Sequence, residues 1–160
     1  TTKNGLRLER TMRLAPGSDR FETSLAVTNA ADSPQPVTVK VHPEFHCQEV
    51  SVLPELWTRS VDGWQREAVE ESAGNTIGAL LMAPQAPGEW AVYVPKADIT
   101  LVNGYQPGQL DKLLLYYNTG KGSEQINLEL LPARRVLRPG ERCTLDAWYT
   151  VVRGRPDSVD

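Results

Sequence analysis

His42 and Glu129 are the two residues whose types and placement point to chemistry. In the run Val37-Thr38-Val39-Lys40-Val41-His42 the valines fall on one face of an extended strand, and Thr38, Lys40 and His42 fall on the other. The imidazole therefore stands among polar neighbours rather than among valines. In Gln125 to Leu131, Ile126, Leu128 and Leu130 share one face, while Asn127, Glu129 and Leu131 share the other. Glu129 is thus a carboxylate on the less apolar face of a core strand. An imidazole and a carboxylate on sheet faces can supply the acid and the base of a proton transfer. Spacing alone does not show that they meet. Each has an ordinary reading too: a sheet-face histidine with a local hydrogen bond, and a solvated or Arg-paired carboxylate.

Other candidates surround this pair. His46 follows His42 by four residues, which on a strand is the same face roughly 13 Å away. Glu44 lies between them, but the bend expected at Pro43 works against a metal site, and no metal is expected. The chain has four tryptophans, Trp57, Trp64, Trp90 and Trp148. Filling a core is the common job of a tryptophan, and stacking on a sugar ring is the rarer one. Trp57 and Trp64 sit in the least regular part of the sequence and are expected to be exposed. Glu44, His46, Trp57 and Trp64 are therefore the candidate substrate contacts. There is no glycine-rich phosphate loop and no Gly-x-Ser-x-Gly elbow. Cys47 and Cys143 lack the spacing of a metal knuckle or a redox pair. They read either as two buried thiols or as one disulfide.

Strands must position these residues. Leu6 to Leu14 alternates, with Leu6, Leu8, Met12 and Leu14 on one side. The turn Ala15 to Asp19 leads into a returning strand from Phe21 to Asn29, which places Phe21, Leu25 and Val27 inward. Val37 to Cys47 reads as a third strand, bent near Pro43 because proline donates nothing to a ladder. Val50 to Trp57, Trp64 to Val69, Ile77 to Met82 and Glu89 to Pro95 read as short strands. Glu67 to Gly74 reads equally as a helical turn with a loop. Ile99 to Val102 is expected to end in a tight turn at Asn103-Gly104. Leu110 to Asn118 and Gln125 to Leu131 flank a Gly-rich turn and form a hairpin. Pro139-Gly140 introduces a last strand, Arg142 to Val152. Roughly ten short strands and no amphipathic helix predict an all-β antiparallel sandwich or barrel.

Composition narrows the function classes. The chain has 160 residues, 40% of them hydrophobic, enough for one domain with a real core. Its formal charge is −3, with no basic block of the kind that binds nucleic-acid phosphates. No apolar run reaches the roughly 20 residues needed to span a bilayer, so no membrane is expected. The sequence opens Thr1-Thr2-Lys3 and is expected to be a processed product or part of a longer protein. The compartment is left open.

Two segments resemble a known family. Leu25-Ala-Val-Thr-Asn29, a loop with Ser33-Pro34, and Val37 to Phe45 resemble the aldose 1-epimerase (galactose mutarotase) pattern. There, a strand ending in Thr-Asn, a polar loop and a second strand lead into His-x-Tyr-Phe. Ile126-Asn-Leu-Glu-Leu130, then Leu137-Arg-Pro-Gly-Glu141 and a final aromatic strand, resemble the family's catalytic-glutamate strand and its closing Leu-x-Pro-Gly-Glu segment. The resemblance implies His42 as general acid and Glu129 as general base. In the family such a pair moves a proton between ring oxygen and anomeric hydroxyl, without cofactor or metal. The departures are also clear. Glu44 stands where the family prefers Tyr, and His46 where it often has Asn. The family's N-terminal half, with a substrate-binding Arg and a second His, has no counterpart here.

The expected architecture is therefore an antiparallel β-sandwich of the galactose mutarotase-like type. It is expected over residues 1–153, with a flexible tail at 154–160. The expected function is a carbohydrate-binding or accessory sandwich within a larger carbohydrate-active protein. The alternatives are an active aldose 1-epimerase-like enzyme using His42 and Glu129, and a structural or protein-interaction sandwich. Carbohydrate is the expected ligand, and a flanking domain or a second copy the expected protein partner.

Overall fold

A computed structural model describes residues 4–46, 53–70, 76–83, 88–118 and 125–158. Its strands in chain order are β1 (Leu6–Leu14), β2 (Phe21–Asn29), β3 (Gln35–Val37), β4 (Glu44–His46), β5 (Glu55–Ser60), β6 (Gly63–Glu67) and β7 (Thr76–Met82). There follow β8 (Glu89–Val94), β9 (Ile99–Tyr105), β10 (Lys112–Asn118), β11 (Gln125–Leu131), β12 (Arg135–Leu137) and β13 (Arg142–Arg153). Every pairing is antiparallel. Seven strands form one sheet in the order β1-β2-β13-β9-β8-β5-β6, and four form a second, β4-β11-β10-β7. β12 and β3 form a separate two-stranded ribbon, whose Leu137 and Val37 pack against Val27 of β2.

The alternation read from sequence explains the layering. Leu56, Trp90, Val92, Val94, Leu101, Leu145 and Tyr149 of the large sheet pack in one cluster with Leu113, Leu115, Tyr117, Ile126, Leu128 and Leu130 of the small sheet. Alternate residues of the large sheet build a second cluster on its outer face: Trp57, Ala91, Tyr93 and Val102, with Trp64, Trp148 and Val152 packed on them. That outer cluster holds both tryptophans expected to be exposed. Trp57 is only 6% exposed, because the middle of the chain is regular sheet and its partners Arg66 and Ala91 flank it on both sides.

Two further expectations are corrected. Asn103-Gly104 is no turn, since β9 runs straight through it. Asn103 is buried and fully used: its Oδ1 accepts from Trp90 Nε1 at 2.6 Å and its Nδ2 donates to Trp148 O at 2.9 Å. Gly104 pairs with Trp148, whose indole lies where a Cβ at 104 would sit. The single strand expected from Val37 to Cys47 is divided into β3, which pairs with β12, and β4, which pairs with β11. Near the end of the described chain, Arg155 donates to both oxygens of Glu55, at 3.1 and 2.7 Å, and Pro156 is buried. Cys143 is a free thiol. Cys47, its partner in the disulfide alternative, lies outside the described residues, as do parts of the turns expected at 83–88 and 118–122 and of the segments 50–57 and 67–74.

The two family-like segments meet in one knot. Asn29, fully buried, gives its Nδ2 to Leu137 O and Ser33 O, both at 2.9 Å, and its Oδ1 accepts from Ala31 N. Its backbone bonds Glu141 O and Gly140 N. Glu141 in turn accepts from Arg138 N at 2.8 Å, closing the Pro139-Gly140 turn, where Gly140 takes the left-handed φ of 75°. This knot fixes the start of the chain segment that carries His42.

Candidate functional site

His42 and Glu129 are brought together by strand register. Val41 and Leu130 exchange both backbone hydrogen bonds, each at 3.0 Å. Three residues on, Glu44 faces Asn127 and Phe45 faces Ile126 in the same register. Pro43 interrupts the bonding without shifting the register, so His42 lies directly opposite Glu129. Flanked by a bonded pair, the two form a non-bonded pair, the kind whose side chains stand closest. Val41 and Phe45 point into the core, which turns His42 and Glu44 to the outer face.

The resulting cluster has four members. Glu129 is 3% exposed. Its Oε1 lies 3.3 Å from His42 Nε2, and its Oε2 lies 2.5 Å from Lys40 Nζ. The Lys40 contact is a charge pair without the alignment of a hydrogen bond. Asn127, 1% exposed, brings its Nδ2 within 2.5 Å of His42 Nε2. One nitrogen cannot serve both neighbours alike. As an acceptor, Nε2 takes the Asn127 N–H, and the imidazole carries its proton on Nδ1. As a donor, Nε2–H turns to Glu129 Oε1. The Asn127 amide, whose Oδ1 has no partner among the described residues, can rotate to follow that proton.

The surroundings are open on one side and grooved on the other. Leu114 and Tyr116 of β10 stand beside Glu129 and Asn127 on the same face, and Leu80 of β7 stands beyond Leu114. On the other flank, His42 borders two grooves of about 300 and 280 Å³ between the small sheet's edge and the inner face of β1 and β2. Arg10 lines both. Tyr149 lines one of them, and its hydroxyl has no partner among the described residues. Burial pushes its pKa up from the usual tyrosine value, against the pull of Arg10.

The remaining candidates fall elsewhere or stand beside the cluster. Glu44 and His46 share the outer face and form their own exposed pair, at 2.9 Å. Trp57 and Trp64 lie on the opposite side of the molecule's large sheet, at its far edge, away from His42. No group of three His, Cys, Asp or Glu residues able to hold a metal occurs among the described residues. Lys40 and Asn127 were not singled out from sequence. The signal was there: Lys40 shares the His42 face, and Asn127 shares the Glu129 face.

No protein-family model matches the chain, and no curated protein matches it. Solved structures do. A proposed aldose 1-epimerase from Klebsiella pneumoniae superposes with a TM-score of 0.77 at 18% identity, over 96% of this chain and 48% of that one. A galactose mutarotase related enzyme from Lactobacillus acidophilus gives 0.63 at 10% identity, over 96% of this chain and 64% of that one. A TPR-domain containing protein from Parabacteroides distasonis gives 0.63 at 10% identity, over 98% of this chain and 32% of that one. The chain thus spans about half the length of the Klebsiella protein. At such identities the likeness is one of fold, and the chain has the antiparallel β-sandwich fold of galactose mutarotase-like structures.

Proposed function

We propose that the chain is a carbohydrate-binding or accessory sandwich, with the outer face around His42, Glu129, Asn127, Lys40 and Tyr116 as its sugar contact. The observation that carries this reading is the state of Glu129. Both of its oxygens are engaged by cations or an imidazole and it is 3% exposed, so it is not free to take a proton from a ligand. A base must reach the proton it removes. His42 is different: its side chain is 47% exposed. An exposed imidazole held by a buried carboxylate and amide is a preorganised hydrogen-bonding group for a sugar hydroxyl. Tyr116 supplies an aromatic neighbour on the same face. The occurrence of this fold within a third of a TPR-domain containing protein fits a role as a part of larger chains.

The second reading is an aldose 1-epimerase-like enzyme, and one observation favours it. His42 and Glu129, the acid and base implied by the family resemblance, are direct cross-strand neighbours. In that reading Glu129 exchanges the Lys40 contact for substrate. Carbohydrate is the ligand in both.

Exchange-resolved NMR with a panel of reducing sugars separates the two. Saturation transfer to sugar protons, lost in His42→Asn and Tyr116→Ala, with no faster anomer exchange, is the expected result. Accelerated exchange abolished by His42→Asn or Glu129→Gln would replace the binding reading with the enzymatic one. Silence in both measurements would overturn both and leave a structural or interaction role.

A further inference from the structure

The first strand is built differently from the others. β1 is nine residues long, yet every residue from Arg7 to Leu14 is exposed. Among the described residues it pairs only with β2, so it is an edge of the large sheet. Its ladder runs without a bulge from Leu6↔Asn29 to Leu14↔Phe21, and it contains no proline. Long, regular, unblunted edges are templates for pairing with another strand. The opposite edge of the same sheet, β6, is only five residues. The edge strand β4 is three residues next to a proline.

The free backbone groups of β1 can be assigned. Ala30 N bonds Gly5 O, and Asn29 N bonds Glu141 O. Even-numbered residues of β2 therefore bond β1, and odd-numbered ones bond β13. It follows that odd-numbered residues of β1 bond inward, and that the N–H and C=O of Leu8, Arg10, Met12 and Leu14 face outward with no strand of the described residues beside them. These same positions carry the exposed apolar side chains: Leu8 is 52% exposed, Met12 56% and Leu14 63%.

We propose that this edge pairs antiparallel with β1 of a second copy, about a two-fold axis at Thr11. The charges choose the register. Centred on Arg10, pairing would set Arg10 against Arg10 and Arg7 against Arg13. Centred on Glu9, it would set Glu9 against Glu9. Centred on Thr11, Glu9 faces Arg13 of the partner copy, and Arg13 faces Glu9 of the partner copy. Leu8 then lies beside Leu14 of the partner copy, and Arg10 beside Met12. A centre on Leu8 also matches opposite charges but pairs fewer strand residues. Glu9 already holds Arg142 at 3.0 Å, and a partner guanidinium would join that carboxylate on its open side. The pairing is isologous and closes after two copies, so it yields a dimer and not a filament. Two strands make a small interface, so the dimer belongs among weak, micromolar-range complexes.

Sedimentation velocity over a micromolar concentration series tests this. The expected result is reversible dimerisation of the wild-type chain. Arg13→Glu places like charges opposite each other twice and is expected to weaken the dimer roughly tenfold. Glu9→Arg is expected to do the same. Mixing the two variants restores both charge matches and should give a heterodimer at the wild-type affinity. Both positions are exposed, and an unchanged circular dichroism spectrum shows that each variant keeps its fold. A wild-type chain that stays monomeric throughout would overturn the proposal and leave the edge to a flanking segment or another protein. Dimers indifferent to either charge change, or variants that fail to rescue each other, would overturn the Thr11 register.

Discussion

Removing Lys40 and removing the charge of Glu129 should have very different costs, although each breaks the same ion pair. At 2.5 Å, two unit charges attract by about 7 kcal/mol at an effective dielectric of about 20, and by about 2 kcal/mol in bulk water. The Lys40 side chain is 44% exposed while Glu129 is 3% exposed, so solvent screens one end of the pair only. That places the attraction near the lower figure. Lys40→Met strands a buried carboxylate with His42 as its remaining neighbour, and stability is expected to fall by about 2 kcal/mol. Glu129→Gln removes the attraction together with the desolvation cost of the carboxylate, and Lys40 turns to water. That change is expected to stay within about 1 kcal/mol of wild type. The double variant should resemble Glu129→Gln, because Lys40 has nothing left to compensate. Urea unfolding of all four proteins at neutral pH, with unchanged m-values, gives the double-mutant cycle. Equal losses in the two single variants, or a coupling under about 0.5 kcal/mol, would refute the view of Glu129 as a buried charge held by Lys40.

Two further perturbations probe the scaffold. Gly104→Ala would bring a Cβ to 2.0 Å from Trp148 Cε2, so the indole must leave its place under Arg20, whose guanidinium lies 4.1 Å from the ring. A loss of about 1–3 kcal/mol is expected, read by thermal unfolding, with a shift in tryptophan fluorescence. Unchanged emission and stability would show that Trp148 is not seated there. Alkaline stability follows from Tyr105 and Tyr149, whose pKa values burial raises above the ordinary 10.0. Above that value the unfolded chain loses their protons and the folded chain keeps them, so stability falls as pH rises. The slope is about 1.4 kcal/mol per pH unit for each buried tyrosine. Urea midpoints that stay flat from neutral to strongly alkaline pH would contradict this.

Period-two alternation made the strands around the cluster readable, and failed where neighbours, not periodicity, decide the outcome. β2, β11 and nearly all of β13 fall where the alternation placed them, because each has one face in the core. Asn103-Gly104 looks like a turn only while its neighbours are unknown. Once Trp90 and Trp148 are beside it, the asparagine is their hydrogen-bond partner and the glycine is the space that Trp148 fills. Trp57 was misplaced for a related reason. The large sheet carries a second apolar cluster on its outer face, which a chain with one expected core gives no reason to anticipate. The alternation of β1 was legible, but its apolar side proved exposed, since nothing in the described chain covers it.

The candidate site shows the same division more sharply. The residue types at 42 and 129 and their faces were readable, because both follow from period-two alternation. Their meeting was not, because it depends on the offset between two segments more than eighty positions apart. That offset is set elsewhere, where Asn29 ties the end of β2 to Leu137 and Glu141, and where Val41 and Leu130 lock the ladder. A one-residue slip would turn every side chain of the Lys40–His46 segment to the other face. It would place Val41 rather than His42 before Glu129 and strand that buried carboxylate beside a valine. The buried charge therefore penalises the wrong register, as the valines do from the core side. Four of the five residues proposed to meet a ligand, Lys40, His42, Asn127 and Glu129, also align the small sheet. A change at Glu129 or Asn127 will report on register before it reports on recognition, so His42, whose side chain is 47% exposed, and Tyr116, which takes no part in the four-residue cluster, are the cleaner probes of binding.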